Sequence, residues 1–208
     1  AVGERIINLP LDIGVNEYDI GLLGSHLVNT GNKPHDIDLV LRGVDNLNLV
    51  KERFNDLLNV IKGRDDHPEQ YVKETVLRYE KKYNDEFNSF KEIISRRWPT
   101  IHVPGKFFGK LRFTYREDEV PVSELPLGKK VSDTSLKGKV VDAFRTNFMP
   151  RSFTFSSQGR DIKMFTYFWD FSYCVHEGDD VVVRGDYFPE NQFIIICNPK
   201  EHGIRIES

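Results

Sequence analysis

Cysteine is nearly absent. Cys174 and Cys197 are the only two in 208 residues, too few to build a zinc site alone, and without a leader a disulfide between them is not expected. Long apolar runs are also missing: none reaches the roughly 18 residues that a membrane-spanning helix needs. The first residues lack the basic, apolar, small-residue order of a secretory leader. These absences lead to the expectation of a cytoplasmic protein with reduced thiols and no membrane partner. Neither sign of charge dominates: 29 Lys and Arg stand against 32 Asp and Glu, for a net charge of -3. That excludes a globally basic nucleic-acid coat. Gly3, Gly14 and Gly31 make no P-loop, and no Gly-x-Gly-x-x-Gly is present. Apolar residues make up 39%, which is enough for a core and excludes global disorder.

The chain changes character once. Residues 1–116 alternate short apolar runs with helical patterns. Residues 117–137 are polar, contain two prolines and read as a linker or long connection. Residues 138–208 carry about half of the aromatics and read as five or six short strands, which points to a small OB-like β-barrel. In the first part, Asp19 to Leu23 and Asp36 to Arg42 read as strands, with a short helix from about Ser25 between them. Asn48 to Ile61 reads as an amphipathic helix, because Val50, Phe54, Leu57, Leu58 and Ile61 share one face at 3.6 residues per turn. A longer helix should follow, stepping through Val72, Val76, Tyr79, Tyr83, Phe87, Phe90 and Ile94 until Pro99 stops it. Lys110 to Arg116 then reads as a strand with Leu111, Phe113 and Tyr115 inward.

One stretch carries chemistry. Gly24-Ser25 follows the first strand, and ten residues later comes Asp36-Ile37-Asp38-Leu39. Gly24 admits a ligand close to the backbone, and Ser25 would open a helix whose free N–H groups favour phosphate oxygens. Asp36 and Asp38 lie two apart on a strand, so both carboxylates leave one face, roughly 6–7 Å apart. Hard oxygen ligands at that spacing suit Mg²⁺ or Mn²⁺, completed by waters and nucleotide phosphates. An isolated Asp-x-Asp is most often a polar solvent face, and an isolated Gly-Ser is a turn. It is their combination between two apolar strands that points to a site.

Gly24-Ser25 followed by Asp36-Ile37-Asp38-Leu39 resembles the signature of the DNA polymerase beta-like nucleotidyltransferase superfamily. The surroundings are closest to a group of predicted archaeal nucleotidyltransferases with a C-terminal β domain, in the Ile20–Leu27 segment, the Asp-Ile-Asp-Leu-Val strand, and Val141-Asp142-Ala143 through Pro150. The resemblance implies an α+β fold: a nucleotidyltransferase-type mixed sheet with helices over 1–116, the connection 117–137, and the OB-like barrel over 138–208. It implies a Mg²⁺-dependent enzyme that moves a nucleoside monophosphate from a nucleoside triphosphate to an acceptor hydroxyl, with nucleic acid as a candidate acceptor. Asp36 and Asp38 would be the catalytic metal ligands; Gly24 and Ser25 would meet the triphosphate. The family usually adds a third carboxylate from a later strand. The corresponding strand here shows Lys110, Arg112, Thr114 and Arg116 instead, and Glu117 and Asp118 follow only past its end. The rival expectation is therefore a non-catalytic nucleotide- or nucleic-acid-binding protein on the same fold.

Residues 93–116 add Arg96, Arg97, Lys106, Lys110, Arg112 and Arg116 with no acid among them. Aromatics are interleaved, so phosphate binding, with Arg112 as a nucleotide-binding candidate, competes with an ordinary basic helix end and strand. Phe165, Tyr167 and Trp169 share one strand face, where base stacking competes with core packing.

Overall fold

A strand needs a neighbour on each edge, and the chain supplies neighbours in two separate sheets. The computed structural model describes residues 8–23, 36–83, 87–104, 107–120 and 128–207; of residues 36, 37, 107 and 108 it describes the backbone. The chain divides into two units: residues 1–68 with 98–121, and residues 69–97 with 122–208.

The first unit is a four-stranded mixed sheet with a helix. Its strands are β1 (Ile20–Leu23), β2 (Asp36–Arg42), β3 (Thr100–Val103) and β4 (Phe107–Thr114), and helix α1 (Val44–Ile61) follows β2. The order is β1-β2-β4-β3. β2 and β4 run parallel, while β1–β2 and β3–β4 are antiparallel. Alternation sets the faces: Leu39, Leu41, Leu111 and Phe113 are fully buried on one side, against the α1 residues Leu47, Val50, Phe54, Leu57 and Leu58. Tyr115, just past β4, is buried as its inward reading requires.

α1 starts four residues earlier than its apolar face indicates. Gly43, at φ +114, turns the chain out of β2 and offers no side-chain cap. The cap comes from far along the sequence: both carboxylate oxygens of Glu119 accept the Val44 N–H at 3.1 Å. Such a cap leaves no local signature.

The second unit contains α2 (Glu69–Lys82), α3 (Phe90–Ser95), β5 (Val131–Asp142), β6 (Arg151–Ser157), β7 (Arg160–Thr166), β8 (Asp180–Phe188), β9 (Phe193–Ile196) and β10 (Gly203–Glu207). Strands β8-β5-β6-β7-β9 form a ring that closes through an extra β8–β9 pairing, and β10 adds to β8. This is a closed five-stranded barrel in the C-terminal part of the chain. β7 and β9 are its one parallel pair. Strand β5 begins at Val131, so the polar connection is shorter than the composition implies: Val131 to Lys137 pair along β8.

Barrel closure requires one edge of β8 to serve two partners. Asp180–Arg184 pair with β10 and Asp186–Phe188 pair with β9. Gly185 stands at the changeover, where a Cβ would lie 2.5 Å from the Ile195 carbonyl oxygen. Inside the ring, Val140, Phe153, Phe155, Ile162, Met164, Val183 and Ile194 join Tyr79, Tyr83, Phe90, Ile93, Ile94 and Phe171 in one core.

The expected long helix through Ile94 is two helices. α2 ends at Lys82, and residues 87–89 are not α-helical. Here the edge of β10 outcompetes helical periodicity. The Ser89 N–H donates to the Ile204 carbonyl at 3.2 Å. The Ile204 N–H donates to Asn88 Oδ1, and the Ile206 N–H donates to Ser89 Oγ, each at 3.0 Å. Residues 88–89 thus cover a sheet edge that would otherwise present unpaired backbone. Asn and Ser are well suited to leaving a helix for this purpose.

Between α2 and the barrel core, Asp170 accepts hydrogen bonds from Tyr83 Oη and Lys82 Nζ, both at 2.5 Å. Burial pushes its carboxyl up, but the bonds from Lys82, Tyr79 and Tyr83 outweigh this and hold it below the ordinary value of 3.8. The lowered folded value means that this stabilisation is present above the unfolded range and is lost as pH falls through the folded value. Asp170→Asn should therefore lower stability at neutral pH by about 2 kcal/mol and flatten the pH dependence of urea unfolding below pH 4. A separate check concerns closure: Gly185→Val should cost about 3 kcal/mol, because the obstacle is backbone and cannot rotate away. Urea midpoints of the two proteins measure it.

Candidate functional site

β2, an inner strand of the first unit's sheet, carries Asp36 and Asp38 at alternate positions, and Asp38 belongs to the face opposite the buried Leu39 and Leu41. Across the parallel pair, Asp36 is level with Phe108, Asp38 with Lys110 and Val40 with Arg112. Across the antiparallel pair, Asp38 is level with Leu23, the last residue of β1. Gly24 and Ser25 lie outside the described residues, as does the short helix expected after them.

Asp38 is engaged. Arg112 donates from Nη2 at 2.8 Å and from Nε at 3.2 Å to the same oxygen, Oδ2. Both side chains retain 23% of their exposure, so the pair is half-buried and open to water on one side. Arg112 sits one pleat beyond the residue directly opposite Asp38, within diagonal reach on the same face.

No described acid of β4 joins them. The face of β4 around Asp38 offers Lys110, Arg112 and Thr114. Glu117 and Asp118 belong to a short 3₁₀ turn, Glu117–Glu119, whose Glu119 caps α1 at Val44. That turn is at the Arg42 end of β2, at least four residues from Asp38, or about 13 Å at the rise of a strand. A return of this segment to the Asp pair through a bend at Arg116 does not occur.

At that far end the structure assembles a group that spacing along the chain does not announce. Arg116 donates to Asp19 Oδ2 at 2.7 Å, pairs with Asp45 Oδ1 at 2.8 Å and reaches Glu119 Oε1 at 3.4 Å. Arg42 also reaches Asp19. The Arg116 hydrogen bond holds the Asp19 carboxyl below its ordinary range against the opposing effect of burial, with help from Arg42. The same bonds, from Asp19 first and then Asp45, push the Arg116 guanidinium up. The acids here neutralise arginine and cap a helix; they do not gather around an empty centre.

The basic run of residues 93–116 does not survive as one patch. Arg96 pairs with Asp179 at 2.7 Å in the barrel unit. Arg97 is buried there against the Tyr79 hydroxyl and the Asp170 carbonyl. Arg116 is tied to acids, Trp98 packs edge-on against Phe54, and Lys106 lies outside the described residues. Arg112 meets Asp38.

On the barrel, Phe165 takes the outward face of β7 while Ile162 and Met164 enter the core. Tyr167 and Trp169 lie beyond the strand end, 69% and 45% exposed. Arg151 places its guanidinium 4.5 Å from the centre of the Trp169 ring.

Among the described residues, one group has metal-ligand proximity: Asp133, Glu201 and His202. Its hydrogen bonds argue against an ion. His202 is buried, and its Nδ1 accepts N–H bonds from Cys197 at 3.1 Å and Asn198 at 3.2 Å. That places the ring proton on Nε2, which faces Asp133 at 3.6 Å and Asp186 at 3.8 Å. Both ring nitrogens are thus occupied in holding the loop before β10. No family model, curated protein or solved structure matches the chain.

Glu119→Ala should remove the α1 cap and leave the Val44 N–H without its carboxylate. A loss of about 1–2 kcal/mol in urea unfolding is expected.

Proposed function

We propose that the first unit is a nucleotide site of the nucleotidyltransferase type, dependent on Mg²⁺ or Mn²⁺ and slow in transfer. The observation that carries the reading is Asp36 and Asp38 at alternate positions of an inner strand of a mixed sheet, with Arg112 on the parallel neighbour touching Asp38. The donor set fits such an ion: carboxylate oxygens are hard ligands, and Asp38 is half-exposed. A divalent ion there would supply positive charge to the phosphoryl group being transferred. Asp36 and Asp38 would hold it, and Arg112 would bind the phosphates. Gly24 and Ser25 follow directly on β1, whose end is level with Asp38, and would cradle the same triphosphate.

A second reading, nucleotide binding without turnover, is favoured by a specific observation. The face of β4 beside Asp38 presents cations where a third carboxylate would be needed, and no described acid stands near enough to accept the proton of an acceptor hydroxyl.

The acceptor belongs to the same proposal. Numbered within the barrel, the strand ring runs 1-2-3-5-4-1 with strands 3 and 5 parallel; we read this as an OB-type barrel. Phe165, Tyr167 and Trp169 would offer stacking surfaces to the bases of a single-stranded nucleic acid acceptor. The reading also assigns a reducing, cytoplasmic setting, in keeping with two free cysteines. No described helix is long and apolar enough to cross a membrane.

Calorimetric titration of each nucleoside triphosphate with Mn²⁺ tests the site. Wild type should bind at least one of them, and Asp38→Asn should bind it roughly tenfold or more weakly, since a ligand of the ion is lost. Equal affinity in the two proteins would remove the site from consideration. Mass spectrometry after incubation with an oligonucleotide acceptor separates transfer from binding alone.

A further inference from the structure

Arg112 and a divalent ion compete for the charge of one carboxylate, that of Asp38. Two guanidinium contacts fall on Asp38 Oδ2, at 2.8 and 3.2 Å, and so engage a carboxylate that a metal at the Asp pair would use. A doubly charged ion on Asp38 also repels the guanidinium, while the guanidinium neutralises the charge that attracts the ion. The two states exclude each other unless an anion receives Arg112.

We propose that Arg112 is a latch that makes metal and triphosphate binding mutually dependent. This rests on the nucleotide site proposed above and adds its order of assembly. Without nucleotide, Arg112 holds Asp38 and keeps metal affinity low. A triphosphate offers the guanidinium two oxygens at once where Asp38 offers one, so Arg112 moves from carboxylate to phosphate and leaves Asp38 to the metal. The movement is small: Arg112 is already on the face of Asp38, one pleat along β4, and the pair is open to water on one side. Lys110, level with Asp38, adds positive charge that disfavours a bare metal ion and favours a metal–triphosphate complex. The linkage is reciprocal, so metal must strengthen nucleotide binding by the factor by which nucleotide strengthens metal binding. Asp38 is then spared from capturing free cations and is recruited when phosphate arrives.

The test is calorimetry on the full chain with Mn²⁺ alone, with a non-hydrolysable nucleoside triphosphate alone in chelator, and with each in the presence of the other. In wild type each ligand should raise affinity for the other by roughly tenfold or more, the scale of one charge-assisted bidentate pair. Arg112→Gln should bind Mn²⁺ alone about tenfold more tightly than wild type, and nucleotide should then raise that affinity by a smaller factor than in wild type, the part due to direct contact of phosphate with the metal. Arg112→Lys, which keeps the charge without the fork, should fall between them, and it serves as the test variant if Arg112→Gln does not fold. Unchanged or weaker binding of Mn²⁺ alone by the substituted proteins, with Asp38-dependent nucleotide binding intact in wild type, would overturn the latch and leave the site standing. Absence of binding in every protein would overturn both.

Discussion

Parallel pairing of β2 with β4 is the constraint from which the rest of the molecule follows. Two parallel neighbours cannot be joined by a hairpin, so the chain must leave the sheet after Arg42; it re-enters as β3 at Thr100 and runs parallel to β2 from Phe107. α1 covers the apolar face of the sheet on the way out. The remainder of the crossover, residues 69–97, contributes two helices to the barrel unit, where Tyr79, Tyr83, Phe90, Ile93 and Ile94 enter the core. One pairing choice thus fixes the line of Asp36 and Asp38 beside the cations of β4 and interleaves the two units along the chain.

The same pair of strands separates charge by length. Near its beginning, Asp38 meets Arg112; near its end, Arg42 and Arg116 are surrounded by Asp19, Asp45 and Glu119. At the far end Arg116 meets oxygens of three carboxylates and Arg42 one, and Glu119 also caps the helix start. At the near end the Asp38–Arg112 pair is half-open to water. An ion pair of that exposure adds little to stability, which leaves its partners available for exchange at small energetic cost.

Elements with period were legible in the sequence, and elements made by long-range contacts were not. β2 and its buried Leu39 and Leu41, the apolar stripe of α1 and most strands of the barrel follow from periods of 2 and 3.6. The helix break at residues 87–89 does not, because Phe87, Phe90 and Ile94 keep helical spacing while Asn88 and Ser89 pair with β10 more than a hundred residues away. The early start of α1 depends on Glu119, 75 residues further along the chain. Of the site, the positions of Asp36, Asp38 and Arg112 on neighbouring strands could be reasoned from alternation. That Arg112 takes hold of Asp38, and that Glu117 and Asp118 stay at the other end, required the register between β2 and β4.

Interleaving has a mechanical consequence. The chain passes between the units three times, at residues 68–69, 97–98 and 121–122. A protease that cuts at one of these passages separates nothing, because two others still tie the halves together. Neither unit corresponds to a continuous stretch that a ribosome could release to fold by itself: the barrel waits for its last strands, and its helices are made before β3 and β4 exist. The molecule is therefore built to mature late and as a whole: a gene fragment cut after residue 68 or 97 would divide the four-stranded sheet, and one cut after residue 121 would part the barrel strands from the two helices that complete their core.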